Sequence, residues 1–172
     1  MLSREENELL TRTGPGTPMG ALLRQYWIPV VLSNEVEPGR RVKRVKLLGE
    51  RLIAFRAKNG RPGLVGEFCP HRLASLYFGR VEEAGMRCVY HGWKFGMDGR
   101  CPEMPNEPPE SGFAAKIRHV GYPCEDRGGM IWAYMGPASP PPPLPDLEWT
   151  LLPEANSFAS KRVQECNWFQ AM

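Results

Sequence analysis

Two short blocks constrain this chain more than any other feature: Cys69-Pro70-His71-Arg72 and Cys88-Val89-Tyr90-His91-Gly92-Trp93 each join one thiol to one imidazole. The 16 residues from Arg72 to Arg87 separate His71 from Cys88, which lets two loops meet around a small inorganic site. Two soft thiolates (Cys69, Cys88) and two neutral imidazoles (His71, His91) are the donor set of a two-iron, two-sulfide cluster in which His replaces Cys on one iron. A structural zinc site also takes two Cys and two His, but its Cys usually come together, roughly a dozen residues ahead of its His. Here the order alternates, and Cys-x-His is a tight spacing for two corners of one tetrahedron but suits neighbouring irons. Zinc, or four unrelated core residues, stay open as alternatives at this level.

The rest of the chain reads as turns and strands. It has 18 Gly and 18 Pro in 172 residues, about a fifth against a usual eighth or so, which favours an all-β body over long helices. Ser3 with Glu6 has capping-box spacing, so residues 4–12 are expected to form a short helix, and Thr17-Pro18 opens a second that runs through Leu22, Leu23 and Tyr26. Trp27 to Leu32 reads as the first strand. Residues 41–48 and 51–57 form a hairpin about Gly49-Glu50, and Asn59-Gly60 turns the chain into a strand through Phe68. The ligand blocks then fall at two hairpin tips, and two further strands are expected near 116–124 and 130–135. Pro137 to Pro145 reads as an extended, partly polyproline II strap.

Five Cys make an odd set; with two claimed as ligands, Cys101, Cys124 and Cys166 read as small buried or half-buried residues that need no disulfide. No apolar stretch is long enough for a bilayer, and the opening residues do not form a signal-peptide core, so the expectation is a cytoplasmic protein with no membrane contact. The net charge of +3 hides a basic stretch from Arg40 to Arg61 in which Glu50 is the one acid. A solvated hairpin whose cations discourage edge pairing explains it, with a docking face for an acidic partner as the sharper alternative. No basic helix or recognition motif accompanies it, so nucleic acid is not expected as a partner.

The two blocks, the opening MLSREENELLTRTGPGTPMGALLRQYWIPV, the GWKFGMDGRC hairpin, YPCEDRGGMIWAYMGP and the closing ECNWFQAM together resemble the N-terminal part of Rieske-type aromatic-ring-hydroxylating oxygenases, most nearly the phthalate dioxygenase group. The resemblance implies a Rieske-type antiparallel β domain with a smaller cluster-binding subdomain. It divides the chain into an N-terminal helical extension (1–26), a Rieske domain (27–136) and a Pro-rich linker that opens a second domain (137–172). It also implies that Cys69 and Cys88 hold one iron of a [2Fe-2S] cluster and His71 and His91 the other. Electrons would come from a reductase using NAD(P)H and pass to a mononuclear Fe(II), held by two His and a carboxylate in a domain beyond Met172. The family's assembly is a homotrimer. His119 cannot build that second site alone and reads as a structural strand residue. This chain is therefore expected to pass electrons and not to hydroxylate; a stand-alone Rieske ferredoxin is the alternative.

One residue departs from the family pattern: Leu73 stands where members commonly have Gly, and a leucine lacks glycine's freedom at positive φ. Respiratory Rieske proteins carry an extra Cys in each loop at the positions of Ala74 and Tyr90, so by resemblance the inter-loop disulfide is excluded and a low potential implied. Pro70 stiffens the first loop, Gly92 permits close backbone approach, and Trp93 and Tyr90 are expected to wall the cluster from water. Arg72 and Lys94 flank it as candidate contacts for a partner's carboxylates.

Overall fold

A computed structural model describes residues 2–171, so Met1 and Met172, the ends of the quoted resemblance, lie outside the described residues. Helix α1 spans Arg4–Thr11 and begins with the expected capping box, in which Ser3 Oγ accepts from the Glu6 N–H at 3.1 Å and the Glu6 carboxylate accepts from the Ser3 N–H at 2.7 Å. Helix α2 (Pro18–Leu23) is capped by Thr17, whose hydroxyl accepts from the Gly20 N–H at 3.1 Å.

The body is antiparallel β. Strands β1 (Trp27–Leu32), β2 (Val42–Leu47), β3 (Glu50–Arg56), β4 (Pro62–Gly66), β5 (Arg80–Glu82), β6 (Gly85–Arg87), β7 (Lys94–Phe95), β8 (Gly121–Tyr122), β9 (Cys124–Arg127) and β10 (Met130–Tyr134) form three sheets, ordered β1-β10-β9, β2-β3-β4-β8 and β5-β6-β7. Pro29 is tolerated in β1 because β1 pairs only with β10 and its register shifts between Pro29 and Val31, so a missing N–H breaks no inner ladder. The sequence of β3, Leu52-Ile53-Ala54-Phe55, is an unbroken apolar run because both its faces are covered. Leu52 and Ala54 pack with Val31, Leu64, Ile131 and Ala133 in one core. Ile53 and Phe55 pack with Leu76, Met86, Trp93 and Phe95 in the other, which joins the large sheet to the small β5-β6-β7 flap.

One sequence expectation changes here. The single strand expected over 116–124 is instead a short helix, α3 (Phe113–Lys116), followed by β8 and β9, which belong to different sheets. Pro123 sits at the break: it has no N–H to continue the β8 ladder, while its carbonyl accepts from the Tyr134 N–H at 3.0 Å, so the chain changes sheet at that residue. The basic stretch is largely paired within the chain. Arg41 meets Glu37, Lys43 meets Glu35, Arg44 and Arg51 meet Glu67, and Arg56 meets Asp126.

The Pro-rich segment does lie as a strap over the body. Trp27 Nε1 donates to the Pro142 carbonyl at 2.8 Å, Arg127 Nη1 donates to the Leu144 carbonyl at 3.1 Å, and the Leu144 side chain is buried. Beyond it, Trp149, Leu151, Leu152, Phe158 and Val163 are exposed. Among the described residues, no helix is long and apolar enough to cross a membrane.

Candidate metal centre

The two Cys–His blocks fold into loops of the same backbone pattern. In the first, the Cys69 N–H donates to the Ala74 carbonyl and the Leu73 N–H to the Cys69 carbonyl, both at 2.9 Å. In the second, the Cys88 N–H donates to the Trp93 carbonyl at 2.9 Å and the Gly92 N–H to the Cys88 carbonyl at 3.2 Å. Each loop closes through a left-handed residue four positions after its Cys, Leu73 at φ +57° and Gly92 at φ +74°. The left-handed backbone at position 73 favours the glycine expected there on resemblance, and leucine occupies it under strain.

This shared backbone carries the four candidate donors to the tips in two pairs. Cys69 and Cys88 are both buried, and the two thiols are close enough for Cys88 to act on the ionisation of Cys69. Burial pushes the Cys69 thiol up to about 11, backbone N–H groups of His71 and Arg72 pull against that, and the neighbouring Cys88 adds to the rise. His71 and His91 are half-buried, with ring centroids 4.5 Å apart. Partial burial, His91 and the Arg72 cation all lower the His71 pKa, which favours the neutral imidazole a metal needs. Among the described residues, no three His, Cys, Asp or Glu side chains converge on one point as a lone ion requires.

Aromatic rings fix the imidazoles. Trp93 stacks on His71 with 4.5 Å between centroids and 4° between planes, and its indole N–H donates to Asn106 Oδ1 at 2.6 Å. Phe113 of α3 meets Trp93 edge-on at 6.4 Å. Tyr90 lies 3.9 Å from the His91 ring but is 60% exposed, so of the two expected walls Trp93 is buried and Tyr90 is a partial cover.

Each loop stands on an ion-pair network. Glu67, two residues before Cys69, has a side chain only 2% exposed and accepts from Ser75 Oγ, Arg44 Nε and Arg51 Nε at 2.9, 2.8 and 2.9 Å. Burial raises the Glu67 pKa, and the hydrogen bonds from Ser75, Arg44 and Arg51 outweigh it, leaving the carboxyl below its ordinary range. Under the second loop, Arg87 donates to Glu82, to Glu103 and, through Nη1, to the Gly92 carbonyl at 2.7 Å. Lys94, expected to face a partner, is instead 16% exposed and bound to Glu103 at 2.8 Å and Glu82 at 3.4 Å. Arg72 is exposed, as expected.

The remaining candidates lie apart from this site. His119 precedes β8 without joining a strand and is structural: its Nε2 meets the Gly66 carbonyl at 2.8 Å and its ring packs on Phe95. All five Cys are free; Cys101 is buried and Cys124 half-buried, but Cys166 is exposed, contrary to its expected burial. Asn106, Phe113, Glu67 and Arg87 were not singled out from the sequence. Their roles arise from contacts between distant segments, and no local spacing announces them.

Paired hairpin loops that present two thiols inside and two imidazoles outside, on an antiparallel β body, define a Rieske-type site. A family model described as the Rieske [2Fe-2S] domain matches residues 26–121, more than half of the chain, and the chain belongs to that family. It is 46% identical over 170 residues to the 3-chlorobenzoate-3,4-dioxygenase oxygenase subunit of Comamonas testosteroni, covering 99% of this chain and 39% of that protein. It is 42% identical to the phthalate 4,5-dioxygenase oxygenase subunit of Pseudomonas putida, covering 100% of this chain and 39% of that one. The chain therefore spans about two fifths of the length of these relatives. Among solved structures, it resembles a reduced complex of oxygenase and ferredoxin in carbazole 1,9a-dioxygenase, with TM-score 0.60, 30% identity, and coverage of 70% of this chain and 31% of that one.

Proposed function

We propose that this chain is the electron-transfer portion of an aromatic-ring-hydroxylating oxygenase of the phthalate dioxygenase type, with Cys69, His71, Cys88 and His91 as the protein ligands of its [2Fe-2S] cluster. The observation that carries this reading is the division of donors into a buried thiol pair and a surface imidazole pair, which suits two irons of different exposure. The donor chemistry fits the group. Two adjacent buried thiols cannot both ionise without a cation to compensate them, and ferric iron supplies that charge. Bound there, the cluster supplies a one-electron couple.

The chain's own residues do the rest. Cys69 and Cys88 would hold one iron as thiolates, and His71 and His91 would hold the other through neutral ring nitrogens. Trp93, tethered by Asn106, keeps the His71 ring in plane and excludes water on that side. The half-buried imidazoles are the groups a redox partner reaches first. An NAD(P)H-dependent reductase as donor, a mononuclear iron in a further domain as acceptor, an aromatic acid as that domain's substrate, a homotrimer and a cytoplasmic location complete the proposal, together with the division into segments 1–26, 27–136 and 137–172. Support comes from the oxygenase subunits that the chain resembles and from the complex with ferredoxin found for a structural neighbour.

Anaerobic purification tests this reading. Red-brown protein with iron and acid-labile sulfide in equal amounts, taking up one electron per cluster in voltammetry, is the expected result. Colourless protein filled with zinc contradicts it.

A further inference from the structure

The second loop is gripped from inside, because Arg87 donates directly to the Gly92 carbonyl. The first has no such grip: among the described residues, no side-chain hydrogen bond reaches into residues 69–74, although this is the loop that carries a left-handed leucine. We propose that Glu67 is the positioning residue of the first loop, its buried carboxylate clamping both stems so that Cys69 and His71 stay in register against the strain at Leu73. The proposal rests on the cluster-binding reading above.

The geometry joins the two stems to two strands of the large sheet. On the incoming stem, the Glu67 N–H donates to the Arg51 carbonyl at 3.0 Å. On the outgoing stem, Ser75 Oγ donates to Glu67 Oε1 and the Leu76 N–H donates to the Glu67 carbonyl at 2.7 Å, while Phe68 and Ser75 form a β-bridge. The carboxylate is anchored in turn by Arg44 of β2 and Arg51 of β3. Aromatic rings from the same stems hold these guanidinium groups: Arg44 lies 3.8 Å over Tyr77 and Arg51 lies 4.6 Å over Phe68. A carboxylate suits this hub because it accepts from three donors at once through two oxygens, which a neutral amide cannot do with its single acceptor oxygen.

The test uses the cluster-loaded chain and the variants Glu67→Gln, Ser75→Ala, Leu73→Gly and Glu67→Gln/Leu73→Gly. Cluster release to a chelator is followed by visible absorption, the electron paramagnetic resonance spectrum is recorded in the reduced state, and melting is followed by circular dichroism. Glu50→Gln serves as a control, because it removes a half-buried carboxylate bound to Arg24 and Tyr122 away from the loops. Glu67→Gln is expected to speed release about tenfold and to change the spectrum, and Ser75→Ala to speed it about threefold. Leu73→Gly should slow release in both backgrounds.

Wild-type release rates and spectra in both Glu67→Gln and Ser75→Ala overturn the proposal. So does a Leu73→Gly that leaves release unchanged, or a Glu50→Gln that speeds release equally for the same loss of melting temperature. If Glu67→Gln does not fold, Ser75→Ala decides alone. Wild-type protein that takes up no iron and sulfide refutes the cluster reading itself, whereas a loaded wild type with indifferent variants refutes only the clamp.

Discussion

In the first cluster loop the left-handed residue is Leu73, at φ +57° and 70% exposed; in the second it is Gly92, at φ +74°, where an added Cβ would stand 3.2 Å from Pro105 Cγ. Both loops make the same pair of backbone hydrogen bonds, so both need the same conformation. They differ in what lies beyond the Cα. The first position opens to solvent and accepts a side chain at the cost of backbone strain alone. The second faces Pro105, so a side chain there meets both the left-handed strain and a tight contact that Pro105 must relieve by shifting. The supporting charges differ too, with a carboxylate hub beneath the first loop and a guanidinium hub beneath the second.

The most damaging way to probe this contrast is to make the second loop like the first. Gly92→Leu should destabilise the protein by about 3 kcal/mol, combining left-handed strain with the collision against Pro105, and cluster loading should fall with it. Urea unfolding followed by tryptophan fluorescence measures the first effect and iron content the second. A loss no larger than the strain at Leu73 would show that Pro105 yields and that the two positions are equivalent.

Acid should weaken the base of the second loop. Arg87 hydrogen bonds lower the Glu82 pKa most, burial opposes them, and Arg80 and Lys94 assist, so the carboxyl is held at about 2 against an ordinary 4.5. Because the folded-state value is depressed, Glu82 contributes its full stability above the unfolded pKa, and the contribution is lost as pH falls from about 4.5 towards 2. Glu82→Gln should therefore cost about 1.5 kcal/mol at pH 7, and its difference from wild type should shrink steadily below pH 4.5. Denaturant midpoints for both proteins between pH 7 and pH 3 check this; a difference constant with pH contradicts it.

The smallest effect has the opposite sign. Leu73→Gly makes the first loop like the second, and relief of the left-handed strain should stabilise the protein by about 1 kcal/mol, read as a rise in urea midpoint at unchanged slope. A destabilised variant would mean that the exposed leucine makes contacts that outweigh its strain.

What could be read from the sequence followed the range of the interaction. The Ser3–Glu6 capping box, the bounds of β1 and the turn at Gly49 are written in adjacent residues, and they fell where expected. The four proposed donors were readable in the same local way, since each loop carries its own thiol and imidazole. The change of sheet at Pro123 was not, because it depends on β8 finding β4 while β9 finds β10. Lys94 was misjudged as a partner contact because its acids, Glu82 and Glu103, come from other strands and loops. The glycine missing at position 73 was visible as a departure from a family pattern, and the backbone supplied its meaning.

The central claim, that His71 and His91 hold one iron while Cys69 and Cys88 hold the other, is tested most directly by pulsed electron paramagnetic resonance of the reduced protein grown with ¹⁵N-histidine. Two strongly coupled histidine nitrogens are predicted for the wild type, with the coupled pair lost from His71→Ala and from His91→Ala. A paramagnetic cluster with no coupled histidine nitrogen, or two coupled nitrogens that survive either substitution, would contradict the account.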